Sequence, residues 1–332
     1  MTSPTGAVKR LLTKPENRPI DRSVNKFAKE PVKKPGSNDL TRAELKHFMR
    51  RSDRPGLVRL FWWCVLLVVT GSLVHASMGS LWLLVPAMFV HGIIVVHHFA
   101  IQHECTHYTA FRSRWICRLL MRLCGFILVI PPLFFRYEHS DHHRYTNLRG
   151  QDPEMIELPT SVFGYLLYLS AMPYWYAQVG GLIRRSCGWL TRVEARFVPT
   201  RMRRAVVREG RWMIAGYACV LTSMRMLDWV APLFYWWLPM LLAEPVMRFI
   251  RMTEHVGRPT TDDRRENTRT SVVSRPWAWL AWNMNYHAEH HFAVAVPFHA
   301  LGRLHERLDG HLFVEPRGYV NAHRDIVRRI HA

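Results

Sequence analysis

Residues 57–74 and 81–100 are two long apolar stretches separated by only six residues, H-A-S-M-G-S, and this pairing limits the folds open to the chain more than any other feature. Each stretch is close to the ~20 residues that an α-helix needs to cross a bilayer. Lipid offers the backbone no hydrogen-bond partner, so each stretch is expected to enter it as a helix that satisfies its own N–H and C=O groups. The short link makes the two a hairpin. It carries no Lys or Arg while both outer flanks are basic, so the positive-inside rule places the hairpin tip outside and both ends in the cytoplasm. Residues 212–227 and 229–250 form a second apolar pair. The expected architecture is an all-α integral membrane protein with two transmembrane hairpins, four spans in total, and a cytoplasmic helical cap.

Composition agrees: 49% of residues are hydrophobic and thirteen are Trp. The mean hydropathy of −0.08 averages apolar spans with strongly basic segments. The net charge of +20 belongs mostly outside the lipid and calls for anionic neighbours, either lipid headgroups or an acidic protein partner. Nucleic acid is excluded as that partner, because the basic residues flank apolar spans and no nucleic-acid-binding motif is present. Residues 1–55 hold fourteen Lys or Arg against six acids and no apolar run, which makes them a basic, flexible cytoplasmic tail ahead of a single membrane domain, 56–332, and not a signal peptide. Within the tail, 41–51 can form a short helix with Thr41 as N-cap and Glu44 as capping-box partner. The six cysteines contain no C-x-x-C pair, so neither a disulfide framework nor an iron–sulfur site is indicated. Any electrons must come from another protein.

The polar chemistry is concentrated in histidine. Eight of the nineteen histidines occupy fifteen positions: His103 and His107 in H-E-C-T-H, His139, His142 and His143 in H-S-D-H-H, and His287, His290 and His291 in H-A-E-H-H. Spacings of i, i+3 and i+4 share a helix face, so each cluster can aim its imidazoles at one point. One zinc is satisfied by four ligands; eight histidines fit two metal ions better.

A shared site also constrains topology. Residues 124–135 are apolar but short and contain Pro131 and Pro132, so they are expected to dip into the interface without crossing. Residues 162–183 have spanning length but contain Pro173, Gly180 and Gly181 and are dense in Tyr and Trp, a composition of the interface. Were they to cross, the third cluster would be stranded on the side opposite the second.

The three ordered boxes, separated by two apolar hairpins, resemble the membrane fatty acid desaturase and hydroxylase superfamily. T-A-F-R-S-R-W after the first box, H-R-Y-T-N and D-P-E after the second, and N-M-N-Y before the third extend the likeness over about 57–310. The resemblance implies two irons that activate O2, an acyl chain or similar lipid as substrate for desaturation or hydroxylation, and a separate electron donor such as a ferredoxin or a cytochrome with its reductase. It also implies a further histidine ligand after the last hairpin, a place occupied by His255 in R-M-T-E-H-V-G. Acids near the ligands, Glu104, Glu138, Asp141, Asp152, Glu254 and Glu289, read as partners that orient imidazoles, and Asn283 as a residue that can hydrogen-bond a metal-bound water.

Two other functions fit parts of the sequence. H-E-C-T-H also satisfies H-E-x-x-H, the zinc hydrolase signature with Glu104 as general base, used by membrane metalloproteases; that reading leaves two histidine boxes idle. A metal transporter or metal-binding protein should place His or acidic residues inside its spans, whereas these clusters lie beyond the span ends. His91, His97 and His98 sit on the second apolar stretch as packed or interfacial residues, or as lining for an approach to the metals.

Overall fold

The computed structural model describes residues 40–308 and 310–330. Most of the basic tail expected over 1–55 lies outside the described residues. Its described end, in the unit that closes at Glu44, holds the expected capping box: Thr41 N donates to Glu44 Oε2 at 2.8 Å and Glu44 N to Thr41 Oγ1 at 3.2 Å. The short helix that follows, α1 (Arg42–Phe48), ends three residues before the expected Arg51.

Helices α2 (Asp53–Ala76) and α3 (Leu81–Val96) form the first hairpin, and α4 (His98–Thr106) continues α3 past a one-residue step at His97. At that step the His97 Nδ1–H donates to Ile93 O at 2.7 Å, taking up a carbonyl that the turn exposes. Among the described residues, Arg42–Ala76 and Leu81–Thr106 are the helices long and apolar enough to cross a membrane. Outward from α2 point Phe61, Trp62, Val68 and Val69, all exposed, as lipid-facing side chains require.

Next come α5 (Arg114–Ile127) and α6 (Pro132–Tyr145), bent 100° from one another. This corner falls within 124–135, where Pro131 and Pro132 stop one helix and start the next. Helix α7 (Val162–Leu169) and helix α8 (Met172–Ser186) replace a single long helix, because Ala171 adopts φ +61 between them. Neither is long enough to cross.

Short α9 (Arg192–Phe197) leads into α10 (Thr200–Leu227), a π-helical turn (Leu233–Trp237) and α11 (Leu238–His255). These elements stand where the second hairpin is expected, though neither α10 nor α11 is among the described helices long and apolar enough to cross a membrane. They depart from a uniformly apolar pair: five arginines fill the first half of α10, and α11 carries Glu244, Arg248, Arg251 and Glu254. The charges on α11 have partners inside the protein, as in the Arg248–Glu244 pair at 2.7 Å.

Helix α11 runs alongside α3 in the same direction. Leu84 and Met88 join Phe234, Tyr235 and Leu238 in one cluster, and Val95 and Val96 join Met240, Ala243 and Met247 in the next. Gly92 permits the approach, since a Cβ there would collide with the Pro239 carbonyl. The C-terminal ends of α4 and α11 therefore emerge together.

The second hairpin also holds the α5–α6 corner. Tyr217 Oη donates to Phe126 O and Trp236 Nε1 to Ile127 O, both at 2.7 Å. Glu209 accepts from Leu133 N at 2.9 Å and Phe134 N at 3.2 Å, capping α6 where its first N–H groups have no helical partner.

The remaining chain forms β1 (Thr270–Ser271), α12 (Arg275–Leu280), α13 (His287–Phe292), α14 (Phe298–Arg307), β2 (Val314–Glu315) and α15 (Gly318–Ile330). The strands pair in parallel, Thr270 opposite Val314. Thr270 Oγ1 accepts from Ala288 N at 3.2 Å, which fixes the start of α13. A core of Trp63, Ile101, Phe111, Trp282 and Phe298 joins this region to the first hairpin.

Candidate metal centre

Four elements end on one buried spot. Helix α4 supplies His103, with His107 as its C-cap; α6 supplies His139, His142 and His143; α11 ends on His255; α13 carries His287, His290 and His291. The nine imidazoles sort into two adjoining groups. His103, His107, His139, His143 and His290 make one, and His142, His255, His287 and His291 the other, with the ligand atoms of each group within 4.8 Å of one another. Rings from the two groups touch, His143 stacking on His291 with centroids 4.2 Å apart.

The facing atoms are nitrogens with no other partner. His139 and His143 bring their Nε2 atoms to 3.0 Å; the pairs His143–His290, His255–His287 and His287–His291 reach 3.1 Å. Nε2 of His103, His107 and His142 is buried without any hydrogen bond. Imidazoles cannot satisfy one another in such a ring, because each neutral ring offers one N–H at most. A cation on the common point resolves this. Two nitrogens about 2.1 Å from one ion lie about 3.0 Å apart at a right angle and about 3.4 Å apart at a tetrahedral one. The observed edges are short enough for nitrogens that share one ion, so the donor set fits a transition metal bound by imidazole.

Outside the cage, the opposite ring nitrogens of four imidazoles are tied down, while Nδ1 of His103, His143, His287 and His290 is buried without a hydrogen-bond partner. His142 Nδ1 donates to Asp152 Oδ1 at 2.8 Å and His139 Nδ1 to Glu154 Oε1 at 2.7 Å. His255 Nδ1 donates to Asn267 O at 3.2 Å. His291 Nδ1 donates to Thr146 Oγ1 at 3.1 Å, whose own hydrogen goes to His142 O. Each bond puts the proton on Nδ1 and leaves the Nε2 lone pair facing inward. Burial holds His107 and His255 down to about 3 and pushes His287, His290 and His291 well below the ordinary histidine range. Neutral imidazole is the form a metal requires.

The acids expected to orient ligands divide sharply. Asp152 does so directly, and also accepts from Asn147 N at 2.8 Å and Glu154 N at 2.9 Å. Glu254 lies 3.7 Å from His287 Nε2 and pairs with Arg251 at 2.6 Å. Asp141 does not reach the cage: it sits two residues after His139, on the far side of α6, and pairs with Arg196 at 2.8 Å. Glu289, two residues after His287, is likewise turned away, onto Thr270 and His305. Asn283 adopts φ +62 and spends its amide on Phe298 O at 2.9 Å. Glu138 forms no hydrogen bond or ion pair with a caged imidazole among the described residues.

Glu154 is the partner that sequence reading missed. It bridges His139 to Arg251, the latter at 2.8 Å, and the signal was present in D-P-E, where only the Asp had been singled out. Glu104 faces the cage with one oxygen, its Oε1 lying 4.0 Å from His290 Nδ1. Fully buried, its Oε2 accepts from Thr109 Oγ1 at 3.0 Å and from Phe298 N at 3.2 Å. His91 bonds Thr70 and the Tyr235 carbonyl, and His98 bonds the Val95 carbonyl and Trp63. Both are packed within the helices. His97 instead lines a small cavity of about 20 Å³ with Phe99, Met247, Met284, Arg251, Glu254, His103 and His287.

Fold and site together define a helical protein with a buried polyhistidine cage at the end of apolar helices. The chain belongs to the fatty acid desaturase family, whose model matches residues 80–320. It is similar to an sn-1 oleoyl-lipid 12-desaturase of Picosynechococcus sp., 32% identical over 84 residues that make up 25% of this chain and 24% of that protein. Fatty acid conjugase FAC2 B of Calendula officinalis is 28% identical over 151 residues, 43% of this chain and 41% of the relative. A chloroplastic omega-6 fatty acid desaturase of Brassica napus is 22% identical over 267 residues, 74% and 59% of the two. The matched stretches thus span less than two thirds of these relatives.

Proposed function

We propose that the protein is an O2-dependent oxidoreductase that desaturates an acyl chain or similar lipid at two irons, one in each histidine group. The observation that carries this reading is the doubled cage: nine inward nitrogens, at least four fixed by an outer hydrogen bond. Relatives named for oleoyl-lipid, omega-6 and conjugase activities support the acyl class of substrate. Irons held here would supply the reduction of O2 and the removal of hydrogen from an unactivated C–H bond, with electrons delivered from a separate carrier.

The chain's own part is positional. His103, His107, His139, His143 and His290 would hold one ion, and His142, His255, His287 and His291 the other. Asp152 and Glu154 keep the protons on the outer nitrogens. The small cavity beside Phe99, Met247 and Met284, about 20 Å³, borders His103 and His287, and an acyl chain would have to widen it to reach them. The burial of these groups excludes water from the reacting end.

Four crossings with a cytoplasmic cap and cytoplasmic termini belong to the same proposal. The common direction of α3 and α11 supports it, since two descending helices would then carry His103 and His255 to one side of the bilayer. An acidic carrier such as a ferredoxin, or a cytochrome with its reductase, would meet the net charge of +20, and turnover insensitive to ionic strength would exclude that docking mode. The decisive experiment pairs iron content with the lipid profile of cells expressing the protein. Two irons per chain and a new double bond are expected. One zinc, with proteolysis abolished by Glu104→Gln, would overturn the reading.

A further inference from the structure

We propose that the cavity between α5, α6 and α10 is a seat for an anionic glycerophospholipid. The proposal rests on the membrane setting and not on the oxidation chemistry. The cavity measures about 480 Å³ and is lined by four arginines, Arg118 and Arg122 from α5, Arg136 from α6 and Arg208 from α10. Its single carboxylate, Glu209, is already committed to the N–H groups of Leu133 and Phe134.

The guanidiniums lack anionic partners of their own. Among the described residues, Arg118, Arg122 and Arg208 form no ion pair, while Arg136 is positioned by Tyr108, whose Oη accepts from Nη1 at 3.0 Å and whose ring lies 4.7 Å beneath the guanidinium. Four guanidiniums thus line the cavity against one carboxylate, and a phosphate among them would supply the missing counter-charge. The rest of the lining is largely apolar, with Met121, Phe126, Trp212 and Met213. The space far exceeds what inorganic phosphate fills.

The helices place this seat at the level where a lipid changes from polar to apolar. Along α5, Trp115, Leu119 and Leu123 are exposed at helical spacing, 61%, 47% and 51%, and Arg118 and Arg122 form the adjacent row. Trp212 on α10 is 71% exposed. A lipid-facing stripe beside a guanidinium row is the signature of an interfacial helix. Phosphate oxygens would meet the arginines while an acyl chain lies over Met121, Phe126 and Trp212.

Native mass spectrometry of the full chain tests this, after detergent exchange in phosphatidylglycerol, in phosphatidylcholine or with inorganic phosphate alone. Retention of one phosphatidylglycerol per chain is expected, with phosphatidylcholine and phosphate retained far less. The pair Arg118→Gln and Arg122→Gln should weaken phosphatidylglycerol binding about thirtyfold, near fivefold for each guanidinium removed from an anionic headgroup. Arg201→Gln with Arg204→Gln, the same charge loss on α10 outside the cavity, should leave it unchanged. All four side chains are exposed, so these variants keep the fold. Equal retention of the two lipids, equal loss in the control pair, or displacement by inorganic phosphate at matched concentration would each overturn the proposal.

Discussion

Replacing Glu154 by Gln removes one charge from the outer hydrogen-bond ring and leaves the nine imidazoles in place. The Glu154 carboxylate, 9% exposed, accepts from His139 Nδ1 at 2.7 Å and pairs with Arg251 at 2.8 Å. A glutamine amide has one oxygen and one NH2. If the oxygen stays on His139, the NH2 faces the Arg251 guanidinium; if the amide turns, its N–H meets Nδ1 and drives the imidazole proton to Nε2, the inward atom. Either arrangement weakens the cage, and loss of such an outer partner costs 10- to 100-fold in metal affinity or activity, about 1.4–2.7 kcal/mol. Arg251 keeps Glu254 at 2.6 Å, so the added loss of fold stability should be that of one charged hydrogen bond, about 1–3 kcal/mol. The matched control is Asp141→Asn, which breaks an ion pair to Arg196, a partly exposed side chain, worth about 0–1 kcal/mol. Iron retained against a graded series of chelators, with product formed per iron, reads the difference. Equal iron retention in the two variants would refute the assignment of Glu154 to the cage.

Three further outcomes are expected. His255→Ala should abolish oxidation and reduce iron content while the apolar helices persist, whereas His299→Ala should be nearly silent; full activity in His255→Ala removes it from the ligand set. Labelling tests topology at two exposed positions, Ser161→Cys and the native Cys187, since Ser186 beside the latter is buried; both should react from the cytoplasmic face, and labels from opposite faces would break the four-span arrangement. Metal-stripped protein should lose stability on acidification. Burial holds His107 and His255 to about 3 in the fold, below the ~6.5 of an unfolded histidine, so between those values the unfolded chain binds more protons and stability falls as pH drops. A thermal midpoint that stays level from about pH 7 to pH 5 would contradict that.

What was legible in the sequence followed from periodicity, and what was not depended on contacts that periodicity does not encode. His103 and His107, or His139 with His142 and His143, share a helix face because 3.6 residues make a turn. The same geometry turns Asp141 and Glu289 away from the cage, since a residue two positions after a ligand is about 200° around the helix from it. Proximity in sequence is not proximity in space. Glu154 is the converse case: fifteen residues beyond His139, it returns through a loop whose turn is set by Asp152 accepting from Asn147 N and Glu154 N, so the two acids of D-P-E reach two different imidazoles from one side. The second hairpin was legible in outline but not in its charge. Arg248 and Arg251 interrupt the apolar pattern of α11, yet each is buried against a carboxylate, Glu244 for one and Glu154 with Glu254 for the other. A buried guanidinium left without its carboxylates would be strongly unfavourable. Arg251 therefore ties the position of α11 to the loop that carries Glu154, and through Glu154 to His139 on α6. The helix that delivers His255 and the loop that orients His139 are thereby set against each other by one side chain, which belongs to neither histidine group and which no histidine spacing could have revealed.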